Sequence, residues 1–177
     1  MMLIVEDGTI VAGADSYVTT ADALTYHANH ANTSWAAATT AAQEAALRKA
    51  TAYMDSRYRS RWHGNQVQPS RQALEWPRYL DLYSAAAHIN YLSLPKGQTW
   101  FTASEIPPRL KDATCEAALR ALAGPLLADV DLTVSRETVG PIDTWYTATD
   151  IATLYPLLDA LLSGLLIPAG GGNLARG

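Results

Sequence analysis

The chain has 177 residues, of which one is a cysteine, one is a phenylalanine and only 17% are charged. A single cysteine, Cys115, excludes an internal disulfide and a zinc site built on several cysteines. The ordinary role of such a residue is that of a small buried apolar side chain.

Long apolar runs are also missing. The longest, over residues 157–167, is shorter than a bilayer span and contains Asp159. At the N-terminus, five apolar residues are followed at once by Glu6 and Asp7, with no basic start before them. We therefore expect no signal peptide and no association with a membrane.

Motifs that carry chemistry are missing as well. The sequence has no Gly-rich phosphate loop, no Cys-x-x-Cys pair and no Gly-x-Ser-x-Gly elbow. His27 and His30 lie three residues apart on a predicted helix, but no carboxylate occupies a matching position, which favours solvent-facing histidines over a metal site. We predict a protein that is not an enzyme and has no metal and no cofactor.

The residues that are present favour helices. Apolar residues make up 49% of the chain and are dominated by alanine and leucine, while the net charge of -4 argues against a generic polyanion binder. The length fits one domain with its own core. We predict a mainly α fold, a small bundle of about four helices with a short β hairpin or arm and extended termini.

Apolar periodicity and boundary residues predict where the helices lie. They are expected at 21–31, 40–62, 107 to 124 or 129, and 157–166. Thr19 or Thr20 caps the first helix, and the spacing of Thr40 and Gln43 fits a capping box for the second. The buried stripe of the second helix is predicted to comprise Leu47, Ala50, Met54 and Tyr58.

The third predicted helix has one narrow charged stripe, in which Glu116 and Arg120 can pair at one turn. A helix that is apolar over most of its circumference is buried on several sides. The last helix has Asp159 as its only charge. We expect a neighbouring subunit to cover the surplus apolar surface, through contact residues on these two helices: Leu119, Leu122, Leu158, Leu162, Leu165 and Leu166.

The remaining segments predict extended or loop structure. Residues 1–18 are expected to form an extended N-terminal arm, 19–167 the helical domain, and 168–177 a glycine-rich flexible tail. Within the domain, residues 132–146 fit two short strands or a β arm. A long loop insertion is predicted at 79–101, with a short helical piece over 80–90.

The most informative segment is Ala73-Leu74-Glu75-Trp76-Pro77-Arg78. Pro77 lacks a backbone donor and favours an extended conformation at the preceding tryptophan. A large aromatic presented in this way must fill a pocket, either in its own fold or on a neighbour. Trp76, Pro77 and Arg78 are therefore candidate contact residues for a second subunit or a partner.

A basic segment surrounds that block. Between Arg48 and Arg78, seven lysines and arginines outnumber two carboxylates, and four aromatics are interleaved with them: Tyr53, Tyr58, Trp62 and Trp76. That mixture is typical of proteins that bind single-stranded nucleic acid. On a helical wheel the cations scatter, which favours structural or inter-subunit pairing. Arg57, Arg59 and Arg61 remain the candidates for nucleic-acid contact.

Six segments, taken in order, resemble one family. They are Ala14–Val18, Ala46–Asp55, Leu74–Arg78, Ile106–Lys111, Val134–Ile142 and Tyr155–Leu162. Their order and spacing resemble small tailed-phage proteins often labelled DnaT-like single-stranded-DNA-binding, which are similar in layout to head-tail connector adaptors. The stretch 79–101 is longer and richer in aromatics than in that family, which suggests an additional contact surface.

The resemblance implies a structural role. It implies a ring of about twelve copies that docks on a portal protein and on a tail or tail-completion protein, in which each subunit needs two different complementary faces. DNA would pass through the lumen without sequence-specific binding, which suits a net negative subunit. The location would be the virion neck, after assembly in the host cytoplasm, with residues 168–177 as the portal contact. The alternative, following the family label, is a replication accessory protein that binds single-stranded DNA.

Overall fold

The computed structural model describes residues 2–79, 103–127, 136–139, 142–145 and 155–167. As predicted, this part of the chain is mainly α. Its helices are α1 (Thr20–Asn29), α2 (Thr33–Ala37), α3 (Thr40–Tyr58), α4 (Pro108–Ala123) and α5 (Pro156–Leu162). Two antiparallel ladders accompany them: β1 (Asn65–Gln66) pairs with β2 (Arg78–Tyr79), and β3 (Arg136–Val139) pairs with β4 (Ile142–Trp145).

Local sequence signals account for most helix boundaries. The Thr19 hydroxyl accepts a hydrogen bond from the Asp22 backbone N–H at 3.0 Å and caps α1, as predicted. Proline occupies the first position of α4, and the helix stops at Gly124. The last helix is shorter than predicted, because α5 ends at Leu162 and turns replace its final residues.

The start of α3 corrects one prediction and reveals an element that was missed. The capping box is wrong, since the cap is Thr39 and the Gln43 side chain instead donates to the Trp35 carbonyl at 2.8 Å. Trp35 lies on α2, where a helix break was expected, and its side chain is fully buried. Burial of this tryptophan explains why so short a helix forms there.

The core forms where α3 packs along α4 and α4 packs against α5. The predicted stripe of α3 is confirmed, because all four of its residues are buried: Leu47, Ala50, Met54 and Tyr58. A 3-10 turn (Arg59–Arg61) continues α3 towards the predicted end at Trp62. Trp62 then forms an antiparallel bridge with Leu166, which brings the segment after α5 onto the same core.

The expectation that a neighbouring subunit must cover α4 and α5 is wrong. Within the single chain, α4 is surrounded by α1, α2, α3 and α5. Its alanines allow neighbouring helices to approach closely, so one domain can cover several faces. The four leucines predicted as contacts on and after α5 are also buried: Leu158, Leu162, Leu165 and Leu166. Leu119 and Leu122 alone among the six remain partly exposed.

The N-terminal segment is part of the domain rather than a free arm. The carboxylate of Glu6 is fully buried and accepts hydrogen bonds from the backbone N–H groups of Gly8, Ile10 and Val11, each at 2.9 Å. These bonds fold the loop around one side chain. The segment predicted as an extended arm over 1–18 is therefore held to the domain by hydrogen bonds in its described residues, 2–18.

The predicted β arm is confirmed as a hairpin. Strands β3 and β4 pair over four residue pairs, from Arg136 opposite Trp145 to Val139 opposite Ile142. Most of the insertion 79–101, its helical piece over 80–90, and the tail 168–177 lie outside the described residues.

Gly8 provides a test of how the N-terminal segment docks. Its φ is +109°, and an added Cβ would lie 2.3 Å from the Ser104 carbonyl oxygen. We expect Gly8→Ala to lower the free energy of unfolding by about 3 kcal/mol or more, from backbone strain and overpacking. Gly13→Ala is the control: its φ is +70° with no atom closer than 4.0 Å, so its cost is about 1 kcal/mol. Equal effects in urea unfolding would show that Gly8 is not packed against Ser104.

Candidate functional site

Three segments that carry the family resemblance meet in one buried hydrogen-bond network. The Tyr17 hydroxyl donates to Asp55 Oδ1 at 2.5 Å, and Asp55 Oδ2 accepts from the Glu75 backbone N–H at 3.1 Å. The Trp76 backbone N–H donates to the Tyr17 hydroxyl oxygen at 3.2 Å. The N-terminal segment, α3 and the block 73–78 are therefore joined by one Tyr17–Asp55 network.

The pocket for the Trp76 anchor lies in the chain's own fold. Trp76 is 0% exposed and meets Trp62 edge to face, with ring centroids 5.7 Å apart. Pro77 follows it through a cis peptide bond and is buried too. The prediction that Trp76 and Pro77 form an exposed contact surface is wrong, because the core of the subunit already encloses them.

Arg78, the third predicted contact residue of that block, is buried as well. Its guanidinium donates to the Glu75 carboxylate at 3.0 Å and to the backbone carbonyls of His63 and Gly64 at 3.1 and 2.7 Å. A guanidinium offers several donors in a fixed plane, which suits this bridging position. Arg78 therefore connects the block 73–78 to the loop after α3. Its burial contradicts the prediction that it is exposed for contact with a partner.

Burial sets the electrostatics of this network. Desolvation raises the pKa of Asp55 to about 6, although the hydrogen bonds from Tyr17 and from the Glu75 backbone oppose the shift. Desolvation and the neighbouring Asp55 raise the pKa of Tyr17 well above its ordinary value. Both oxygens of Asp55 accept hydrogen bonds from the protein. The Asp55 carboxyl therefore has the partners expected of a group that holds segments of the fold together.

The predicted nucleic-acid residues are only partly available. Arg59 pairs with the Glu75 carboxylate at 2.9 Å, and the Arg61 guanidinium lies 6.0 Å from the Tyr58 ring centroid. Among the described residues, Arg57 and Arg61 form no ion pair with a carboxylate. The four interleaved aromatics are each at most 4% exposed: Tyr53, Tyr58, Trp62 and Trp76. None of these rings offers a face for a base to stack on.

An apolar groove lies on the described surface where α2, the start of α3 and the second half of α4 meet. It has a volume of about 900 Å³, and its apolar lining comprises Ala37, Ala38, Ala42, Leu119, Leu122 and Ala123. Its polar lining comprises Asn32, Ser34, Glu116 and Arg120, and the last two pair at 2.7 Å, as predicted from their spacing. This α2–α4 groove contains the two predicted contact leucines that the core leaves partly exposed.

The histidines and the cysteine complete the comparison with the sequence predictions. His27 is buried rather than solvent-facing, and desolvation lowers its pKa, while His30 is exposed and stacks on Tyr26. Cys115 is buried as expected.

In the part of the chain that the structure describes, no group of three or more potential ligands could hold a metal ion. None of the described helices is long and apolar enough to cross a bilayer.

Sequence reasoning missed the Tyr17–Asp55 network although the signal was present. Tyr17, Asp55 and Trp76 each lie in one of the segments that carry the resemblance, and hydrogen bonds of the network join those three segments. The fold and this network define a small mainly α domain in which these segments contribute to the core.

The comparisons identify the family. All of residues 1–177 match the family described as "Putative DnaT-like ssDNA binding protein", and the chain belongs to that family. No curated protein sequence and no solved structure matches the chain. The family description names single-stranded DNA, whereas the described aromatic rings of the basic segment are buried.

The raised pKa of Asp55 gives a test by pH. The Asp55 carboxyl binds a proton more tightly in the folded protein than in the unfolded chain. Protonation of Asp55 therefore stabilises the fold fully below about pH 3.8, and this stabilisation is lost as the pH rises through about 6. We expect the unfolding free energy of the wild type, relative to Asp55→Asn, to fall by on the order of 3 kcal/mol between about pH 4 and pH 7.

Urea unfolding of both proteins across that pH range measures this difference. A difference between wild type and Asp55→Asn that stays constant with pH would rule out a desolvated Asp55.

Proposed function

We propose that the protein is a structural head-tail adaptor of a tailed bacteriophage. In this proposal it forms a homo-oligomeric ring, of about twelve copies, that docks on the portal protein and links it to the tail. The observation that carries the proposal is the α2–α4 groove, an apolar surface that the described residues leave uncovered. The segment order that resembles connector adaptors gives independent support.

The groove has the character of a protein interface. Its lining combines the apolar side chains of Leu119 and Leu122 with the ion pair of Glu116 and Arg120, and protein contact surfaces commonly combine apolar and polar groups in this way. A contiguous exposed apolar surface on a soluble domain commonly marks such a site. A head-to-tail ring needs one surface of this kind and a second, different surface that fits into it.

The self-sufficient core changes how assembly would proceed. Because one chain buries the apolar faces of α4 and α5, the subunit folds before it meets a neighbour. Ring formation then joins preformed subunits through limited surfaces, and docking on the portal can promote it by raising the local concentration. This differs from an obligate oligomer, in which folding and assembly are inseparable.

The charge of the chain suits passage of DNA. A net charge of -4 gives little general attraction for phosphates, so DNA could slide through a lumen without being held. We place the protein in the virion neck, with no enzymatic role. Among the described residues, the carboxylates of the Tyr17–Asp55 network serve hydrogen bonds of the fold.

A replication accessory protein that binds single-stranded DNA is the alternative. In its favour, Arg57, Arg59 and Arg61 lie close together at the end of α3, and two of them have no carboxylate partner in the described part of the chain. Against it, the aromatic rings of the same segment are buried. Contacts to phosphate alone would give weak binding that decreases steeply with salt.

Particle imaging of the purified protein, alone and with its portal protein, tests the proposal. We expect rings in at least one of the two samples, and we expect Leu119→Asp with Leu122→Asp to abolish them, because buried unpaired carboxylates oppose association. Leu24→Asp is the matched control: Leu24 is 44% exposed on α1 and does not line the groove.

Circular dichroism and the unfolding midpoint must show that the double variant is still folded. A monomer in both samples would contradict the adaptor proposal. If that monomer also bound oligonucleotides with a salt-sensitive affinity that Arg57→Ala, Arg59→Ala and Arg61→Ala together removed, the alternative would be favoured.

A further inference from the structure

A smaller apolar pocket lies where α3 meets the chain after α4. Its volume is about 400 Å³, and its lining comprises Lys49, Ala52, Tyr53, Ser56, Pro125, Leu126 and Leu127. Tyr53 and Leu126 are buried, whereas Leu127 is 54% exposed. This α3–Leu127 pocket shares no residue with the α2–α4 groove.

Two cations lie near this pocket on one face of α3. Lys49 lies one helical turn before Tyr53, and Arg57 lies one turn after it. Desolvation raises the pKa of Tyr53, and the Arg57 guanidinium opposes this shift, as expected of a nearby cation. Along the helix axis the two cationic residues are about 12 Å apart. The part of the pocket that α3 provides therefore lies between two positive charges.

Neither cation has a carboxylate partner among the described residues. Lys49 and Arg57 form no ion pair there, whereas the neighbouring Arg48 and Arg59 are each paired with at least one carboxylate. The carboxylate of Asp159 also acts on the tyrosine of the pocket, but it accepts a hydrogen bond from another tyrosine of α3 at 2.8 Å. In the described part of the chain, the pocket thus combines an apolar lining with unpaired positive charge.

We propose that the α3–Leu127 pocket binds a short acidic segment of a partner protein, in which a large apolar side chain lies between two carboxylates. The apolar side chain occupies the pocket, and the carboxylates pair with Lys49 and Arg57. In an extended peptide, about four residues span the distance between the two cations. Exposed ion pairs are weak, so burial of the apolar side chain supplies most of the affinity and the charges supply selectivity.

The chemistry of the pocket favours a peptide over a nucleic acid. A single-stranded nucleic acid needs exposed rings on which its bases can stack, and Tyr53 is only 4% exposed. Leu127 instead offers an apolar side chain, which protein partners commonly bury. The inference uses neither the α2–α4 groove nor a ring, so it does not depend on the proposed function.

Fluorescence polarisation with a panel of labelled peptides tests the binding. The peptides have the sequence Gly-Asp-Leu-X-Leu-Glu-Gly, where X is Leu, Ile, Phe or Trp, and matched peptides carry Asn and Gln in place of the two acids. We expect at least one acidic peptide to bind the full-length protein, and Lys49→Ala with Arg57→Ala to weaken that binding about tenfold or more. Arg109→Ala with Lys111→Ala, at the start of α4, is the charge-matched control and should leave the affinity unchanged.

Leu127→Asp tests the apolar contribution separately. The substituted position is exposed, so the unfolding midpoint should change little while peptide binding is lost. Equal binding of the acidic and the amide peptides, or no binding of any peptide, would overturn the inference. If no peptide binds, and a labelled oligonucleotide binds until Lys49 and Arg57 are both changed to alanine, the surface belongs to a nucleic-acid site instead.

The chain's own sequence provides the remaining competitor. Asp129 and Asp131 follow shortly after Leu127, so the same assay is repeated with Asp129→Asn and Asp131→Asn in one chain. Peptide binding that appears only in this variant would show that the chain's own acidic residues occupy the site, which would also refute binding of a partner. Equal binding by this variant and the wild type is the expected result.

Discussion

The buried hydrogen bonds among Tyr17, Asp55 and the backbone of Glu75 and Trp76 are the constraint on which the rest of the structure depends. They join three segments that are far apart in sequence: the N-terminal loop, the middle of α3 and the block 73–78. In a low-dielectric interior, leaving any of these polar groups without a hydrogen-bond partner costs free energy of folding. The network therefore fixes all three segments together and places the Trp76 ring in the core.

That constraint determines what the surface can offer to partners. Trp76 and the leucines predicted as contacts on α5 are enclosed in the subunit. The side chains that the sequence suggested for an interface are therefore not accessible to a partner. Among the described residues, the α2–α4 groove is an apolar surface that stays accessible on the helical domain. The Leu-Glu-Trp-Pro-Arg block then serves to build this core.

The sequence predicted those features that depend on local chemistry. The start of α4 at proline, its end at Gly124, the α3 stripe and the hairpin follow from dihedral preferences and periodicity. The location of Trp76, the helix around Trp35 and the folded N-terminal loop could not be predicted, because long-range contacts determine them. Periodicity shows that a face of α4 is buried, but it does not show whether the covering helix belongs to the same chain.

Hydrogen exchange at the backbone amides of Glu75 and Trp76, in a dilute and unassembled subunit, tests most directly whether the chain completes its own core. If the Tyr17–Asp55 network holds the free subunit together, these two amides should exchange as slowly as those in the middle of α3 and α4. Rapid exchange in the free subunit, with protection acquired only on assembly, would contradict the account and return Trp76 to the interface.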